Sequence, residues 1–425
     1  MTIPKASHYN AIIKWIAKEK YTFMQKKPKV LFSYIESGMG HITSMQAIVD
    51  SVTKKYSDEI DIVTDYVMSH SIITKKHETF LTKQVQNTNK FGGFGQFVFG
   101  IIEFLGGQGL LRSLYSTIFK STKEAIFARF KEINPDIIVS THHAITHIAI
   151  EYQRKVDPSC EVITYNPDNN THVWWDSRQG WFFVNNDFAK REAIKRRKFN
   201  PDNIIQVNYT KRQALLDANL SKEEYRQKYD LPVNKFTVIV ADGVYALGKC
   251  KQFTNKLLKT KKELTIIFIA GKNEKMYNYM IKKGNKLKEK GKTNITLRVY
   301  GFMSNIHELY KASDVFITKA GPNSILDSLI MGTPVIVNFC PQPMEEAAYK
   351  HFIKKLGCGQ AVFKPRKIKK IVESYIDNPS LLDIYSNNIS HISNTENGAD
   401  TIADFIYKLG YEKINKADSQ VKEQL

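Results

Sequence analysis

Residues 315–339, VFITKAGPNSILDSLIMGTPVIVNF, divide into strand, turn, helix, stop and strand. Val315, Phe316, Ile317 and Thr318 are β-branched or aromatic, the composition of a buried strand. Ala320-Gly321-Pro322 turns the chain, and Pro322 suits the first turn of a helix, where an absent N–H costs nothing. Ile325, Leu326, Leu329 and Ile330 recur at helical spacing and give one apolar face. Gly332 and Pro334 end the helix, and Val335, Ile336 and Val337 open the next buried strand. On the other face, Gly321, Asn323 and Ser324 leave backbone N–H groups open at the helix start, where the positive end of the dipole can hold a phosphate. Asp327, one turn on, is within reach of a ribose diol carried by that phosphate. A plain βαβ crossover fits the same spacing, since a strand–glycine–helix unit is not specific by itself.

A second such unit stands near the N-terminus. Residues 30–35 read as a strand, followed by Glu36-Ser37-Gly38-Met39-Gly40-His41 and a helix over about 42–52. Further strands are predicted at 61–67, 136–140, 162–165, 204–207, 236–240 and 264–270. Alternating strands and helices predict an α/β chain of two doubly wound, Rossmann-like domains facing across a cleft. Ligands are expected at the C-terminal strand ends, where both glycine turns lie. The expected boundaries are 1–210 for the first domain and 211–395 for the second. A helix over 396–413 is expected to return to the first domain, leaving 414–425 as a disordered tail.

A chain of 425 residues, 42% hydrophobic and 24% charged, is long enough for two such cores. Its formal net charge of +20 calls for an acidic partner. Lysines cluster at 190–198, 282–292 and 364–370 without interleaved aromatics, which favours an anionic membrane surface over nucleic acid. Two stretches fit that surface: a basic amphipathic helix over 7–27 carrying Trp15, and the glycine-rich apolar segment 91–111. Gln96, Glu103, Gln108 and seven glycines argue against segment 91–111 spanning a bilayer. Scattered Cys160, Cys250, Cys340 and Cys358 suit a reducing compartment, and no secretion signal is read at the N-terminus. A cytoplasmic, peripherally membrane-attached protein is expected. His143 and His147 have the spacing of metal ligands on a helix, yet no acid or cysteine complements them, so no metal is predicted.

The KAGP turn, the acid six residues after its glycine and the Gly-x-Pro exit resemble the donor-site motif of the monogalactosyl- and glucosyl-diacylglycerol synthases. The peptidoglycan N-acetylglucosaminyl transferase is a more distant relative of that family. The resemblance extends over roughly residues 29–410 and is strongest at 319–334 and at SGMGHITSMQA, residues 37–47. It implies a GT-B fold and a UDP-hexose donor, with no metal or other cofactor. It implies further an inverting transfer of glucose or galactose to diacylglycerol or a glycosyl-diacylglycerol. Two alternatives stay open: a UDP-sugar transferase with a soluble or polyprenyl acceptor, and a non-catalytic nucleotide-sugar binding protein.

On this resemblance His41 is the catalytic base, kept neutral at the positive end of a helix, and Asp168 orients it or the acceptor hydroxyl. Donor contacts are implied for Gly243, Gly321, Pro322, Asn323, Ser324 and Asp327, and Phe302 and Met303 are candidates for the base pocket. Glu345 and Glu346 match the family's Gln-Glu pair, and Glu346 is the carboxylate expected at the sugar hydroxyls. Gly38, Gly40, His142, His147, Trp174 and Trp175 belong to the implied acceptor and membrane side. The chain departs from the family at Asn323, Ser324 and Asp327, where Gly, Thr and Glu are usual. It departs again at ADGVYALG, residues 241–248, which keeps only Gly243 and Gly248 of a glycine run.

Overall fold

The computed structural model describes residues 27–423 apart from 36–38, 70–73, 77–78, 80–119, 176–178, 247 and 341. All but the last residue of the expected 7–27 helix, the 91–111 segment and Gly38 lie outside the described residues.

Two six-stranded parallel sheets organise the chain, in the orders β2-β1-β3-β4-β5-β6 and β12-β11-β10-β7-β8-β9. The first contains β1 (Lys29–Tyr34), β2 (Asp61–Tyr66), β3 (Ile137–Ser140), β4 (Glu161–Asn166), β5 (Trp181–Val184) and β6 (Ile204–Gln206). The second contains β7 (Thr237–Ala241), β8 (Leu264–Ile269), β9 (Ile295–Tyr300), β10 (Val315–Lys319), β11 (Val335–Phe339) and β12 (Gly359–Ala361). β7 and β8, TVIVA and LTIIFI, are buried at every residue, because helices cover both faces of the sheet. Apolar clusters accordingly lie on both sides of each sheet.

Seven helices bear on the site: α1 (Met39–Tyr56), α2 (His143–Lys155), α3 (Cys250–Leu257), α4 (Pro322–Ile330), α5 (Pro343–Ala348), α6 (Pro365–Asp377) and α7 (Gly398–Glu423). The chain crosses between the sheets twice, and the two crossings are bonded side by side. Asn397 accepts from the Lys211 amide at 2.8 Å and donates to its carbonyl at 3.0 Å, while the Gly398 amide donates to Tyr209 O at 3.0 Å.

After the second crossing, α7 packs on α1 through Ala399, Ile402, Ala403 and Ile406, against Met45, Ile48 and Val52. Tyr407 stacks on Tyr56 with ring centres 4.3 Å apart. This helix runs through Glu423, so the tail expected to be disordered from 414 is helical over most of its length. The reason is local. From Tyr411 onward the chain carries good helix formers and no Gly or Pro, and Ile414 is buried.

Candidate active site between the two sheets

The start of α4 is open. Gly321 is its N-cap without a side-chain cap, Pro322 fills the first position, and the first amide bond inside the turn is Ile325 N–H to Gly321 O at 3.0 Å. The amides of Asn323 and Ser324 therefore face outward at the positive end of the helix. Opposite them stands the start of α1. A Cβ built on Gly40 would overlap the side-chain amide of Asn323, so the two glycine turns meet across the cleft and Gly40 must stay small. Two helix N-termini converging on one place favour an anion there.

Asp327 is not left to a ligand alone. Its carboxylate pairs with the Arg212 guanidinium at 2.5 Å. Burial raises its pKa, and Arg212 opposes that shift. Arg212 comes from the first interlobe crossing, next to the expected boundary between residues 210 and 211, and was not among the candidate site residues. No local pattern marks it; only the need of a buried carboxylate for a counter-charge could have pointed to a cation. It stands at the start of the short helix Gln213–Leu216, which touches α1, so it sits where both lobes and α4 come together.

Below α4, Asp242 ties three strand ends. It accepts from Cys250 N at 2.5 Å, Lys319 N at 2.7 Å and Asn338 Nδ2 at 2.9 Å, and burial pushes its pKa up. Gly243 follows with φ +75°, a conformation that suits glycine, and turns the 241–246 loop over Lys319. Lys319 Nζ pairs with Glu345 at 2.5 Å, and the other Glu345 oxygen accepts from Gln342 N at 3.2 Å. Glu345 is thus a buried brace between β10 and α5, with both oxygens engaged. Glu346 faces outward and pairs with Lys350 at 2.7 Å. Phe302 is exposed with Lys272 Nζ 5.4 Å from its ring centre, whereas Met303 packs against the core.

His41 occupies the first turn of α1. Its Nδ1–H donates to Thr141 O at 2.6 Å, and Thr141 Oγ1 donates back to His41 O at 2.8 Å. A carbonyl can only accept, so the proton is on Nδ1 and the lone pair of the neutral ring is on Nε2. Burial lowers the His41 pKa; Asp168 and the Thr141 carbonyl oppose it, and the net position is below the ordinary 6.5. Asp168 bonds His172 Nε2 at 3.2 Å, so it acts on His41 by charge and not by a direct hydrogen bond. Burial raises Asp168, but the His172 bond and the neighbouring imidazoles bring it below the usual carboxylate value.

Replacing Asp168 by Asn should lower the His41 pKa further, because a raising influence is lost. If His41 is the base expected from the sequence, it works when neutral, and the acid limb of kcat/KM lies where pH falls through that pKa. The limb is expected to move down by about one pH unit, and the plateau to fall roughly tenfold with the weaker base. An unmoved limb in the pH–rate profile would remove Asp168 from this role.

The remaining predicted residues divide. His142 is buried and caps α2, accepting from Ala144 N at 3.2 Å, with its ring 4.7 Å from that of His41. Burial first, then the His41 and His172 rings, hold its pKa well below 6.5. His147 Nε2 bonds Trp174 O at 2.9 Å and pins that loop. Trp174 is partly buried, but Trp175 is fully buried against Phe182 and His172 and does not face a membrane. The turn closed by Trp175 N–H to His172 O sends its ring inward. Among the described residues no three His, Cys, Asp or Glu side chains are placed to hold a metal ion.

Two parallel sheets linked by two chain crossings, with helix starts meeting between their strand ends, form the GT-B architecture. Solved structures share the fold. Acinetobacter baumannii MurG aligns over 90% of this chain and all of its own at TM-score 0.55 and 11% identity. Medicago truncatula UGT71G1, complexed with UDP-glucose, aligns over 92% of this chain and all of its own at 0.57 and 12% identity. Residues 41–208 match the monogalactosyldiacylglycerol (MGDG) synthase family model, and residues 245–379 match the glycosyltransferase family 28 C-terminal domain. The first lobe is thus similar to the monogalactosyldiacylglycerol synthases and the second to the family 28 glycosyltransferases. Among curated relatives, the processive diacylglycerol beta-glucosyltransferases of Bacillus licheniformis and Bacillus subtilis are each 22% identical. The alignments span 88% of this chain and 93% and 94% of theirs. A probable monogalactosyldiacylglycerol synthase 2 of Oryza sativa subsp. indica is 25% identical over 67% of this chain and 61% of its own.

Proposed function

We propose that the chain transfers glucose or galactose from a UDP-sugar to diacylglycerol, or to a glycosyl-diacylglycerol, at an anionic membrane surface. One observation carries this reading: a His41 ring locked with Nε2 free, on a helix whose start faces the open first turn of α4. The names of the relatives supply the acceptor and the hexose classes.

In this reading the diphosphate lies at the Asn323 and Ser324 amides, and the ribose reaches the Asp327–Arg212 pair. His41 Nε2 takes the proton of the acceptor hydroxyl while its oxygen bonds the anomeric carbon. The bond from that carbon to the diphosphate oxygen breaks on the opposite face, so the product is inverted and UDP leaves with the electron pair. The helix start and the Arg212 cation stabilise the charge gathered on UDP, and the reaction calls on no resident cofactor. Asp168, buried and bonded to His172, suits a charge partner and not a nucleophile.

Incubating the protein with UDP-glucose or UDP-galactose and diacylglycerol vesicles, with and without a chelator, tests the assignment. A glycolipid of β configuration by NMR, formed equally with the chelator present, is expected. UDP binding without any glycolipid would leave only a nucleotide-sugar binder.

A further inference from the structure

We infer that the rim of the second lobe beside β12 is a docking surface for anionic lipid, seating the hexose end of the cleft on the bilayer. The inference rests on the function proposed above. Phe363, just past β12, is 43% exposed and packs edge-on against Tyr349 at 5.7 Å between ring centres. Cations surround it. Lys364 precedes α6, and Arg366, Lys367 and Lys370 stand exposed on its outer face while Ile368, Val372 and Tyr375 turn to the core. Lys249 Nζ donates to Phe363 O at 3.2 Å, and Lys354 lies over the Tyr349 ring at 5.9 Å. The neighbouring α3 adds exposed Lys256. Neither α3 nor the chain from Phe363 to Lys370 contains an acid, and the nearby acids are already paired, Glu373 with Lys369 and Glu346 with Lys350, so the face carries an excess of positive charge around one apolar side chain.

Position gives this patch its meaning. Phe363 lies at the C-terminal end of its edge strand, as Gly321 does for β10 in the middle of the sheet. Phe302, the candidate for the base, follows β9 at the opposite edge. A nucleotide-sugar with its diphosphate at α4 and its base toward β9 therefore directs its hexose toward β11 and β12. The acceptor must come in at that end, and a lipid acceptor reaches it most directly if that rim lies on the membrane. An exposed aromatic ring among snorkelling lysines is the composition of a bilayer contact. A single ring offers no succession of stacking platforms for nucleic acid.

Co-sedimentation of the full chain with phosphatidylcholine vesicles, with and without phosphatidylglycerol, tests this. In the variant Arg366→Gln, Lys367→Gln, Lys370→Gln, phosphatidylglycerol-dependent binding should fall about a hundredfold, at about fivefold per cation. Phe363→Ser should lower it further. The control Lys282→Gln, Lys286→Gln, Lys290→Gln removes the same charge at the opposite edge, beside β9, and should leave most of the binding intact. UDP affinity by calorimetry should be unchanged in all of these. Equal losses in patch and control variants would overturn the inference. So would RNA duplex binding that displaces the vesicles and is lost in the same variant. The parent reading fails separately: vesicle docking through the patch with no glycolipid made would refute the transferase and leave the surface standing.

Discussion

Replacing His41 by alanine is expected to lower kcat by about 10²–10⁴-fold, the range of one well-placed general base, while the affinity for UDP stays as it was. The argument is one of separation. The His41 ring is held entirely by the first lobe, through Thr141, while the amides proposed for the diphosphate belong to α4 in the second. Losing the ring therefore removes the proton acceptor and leaves the anion site in place. The acid limb of the pH–rate profile should vanish with it, because the group that titrates below 6.5 is gone. Calorimetry with UDP, run beside kcat on the same preparation, separates the outcomes. Parallel loss of turnover and UDP affinity would make His41 a donor ligand. Full turnover would place the base elsewhere.

The architecture was legible because buried parallel strands read as runs of Val and Ile, and because Gly and Pro punctuate both strand–helix units. Gly321 and Gly40 could be picked out on that basis alone. What the sequence does not carry is the partner of each polar group. Thr141 lies 100 residues from His41, and Arg212 lies 115 from Asp327; only folding brings either pair together. Asp168 followed the right strand, yet its hydrogen bond goes to His172, four residues on, and its influence on His41 acts through space. The Trp174-Trp175 pair shows a different limit. Two adjacent indoles in a loop have no periodicity to say which turns inward, and only the folded loop shows Trp175 packed against Phe182 and His172. Glu345 and Glu346 differ for a related reason: successive helical residues point about 100° apart, so one braces Lys319 and the other meets solvent. The α7 extension was missed because a charged run lacking apolar periodicity looks like a tail. Its helix formers continue an element already docked on α1.

Replacing Asn323 by aspartate should separate stability from donor binding in opposite directions. The two side chains have nearly the same shape, so the close approach to Gly40 is preserved. Asn323 is the second residue of α4, where a negative charge meets the positive end of the helix, and no side chain now caps that end. The folded state should therefore gain about 0.3–1 kcal/mol, seen as an unchanged or slightly raised Tm. The same carboxylate would confront a diphosphate a few ångströms away. Two like charges at such a distance repel by about 4 kcal/mol at the effective dielectric of a partly exposed site, before relaxation. Even half of that weakens UDP affinity by more than tenfold, and the full value by several hundredfold. Added salt should recover part of the loss, since charges in an open cleft are screened. Neutral Asn323→Ser, smaller and uncharged, should keep UDP affinity near the parent's. If the aspartate variant bound UDP as well as the parent did, the anion would not be sitting at the start of α4. His41 would then face something other than an activated sugar.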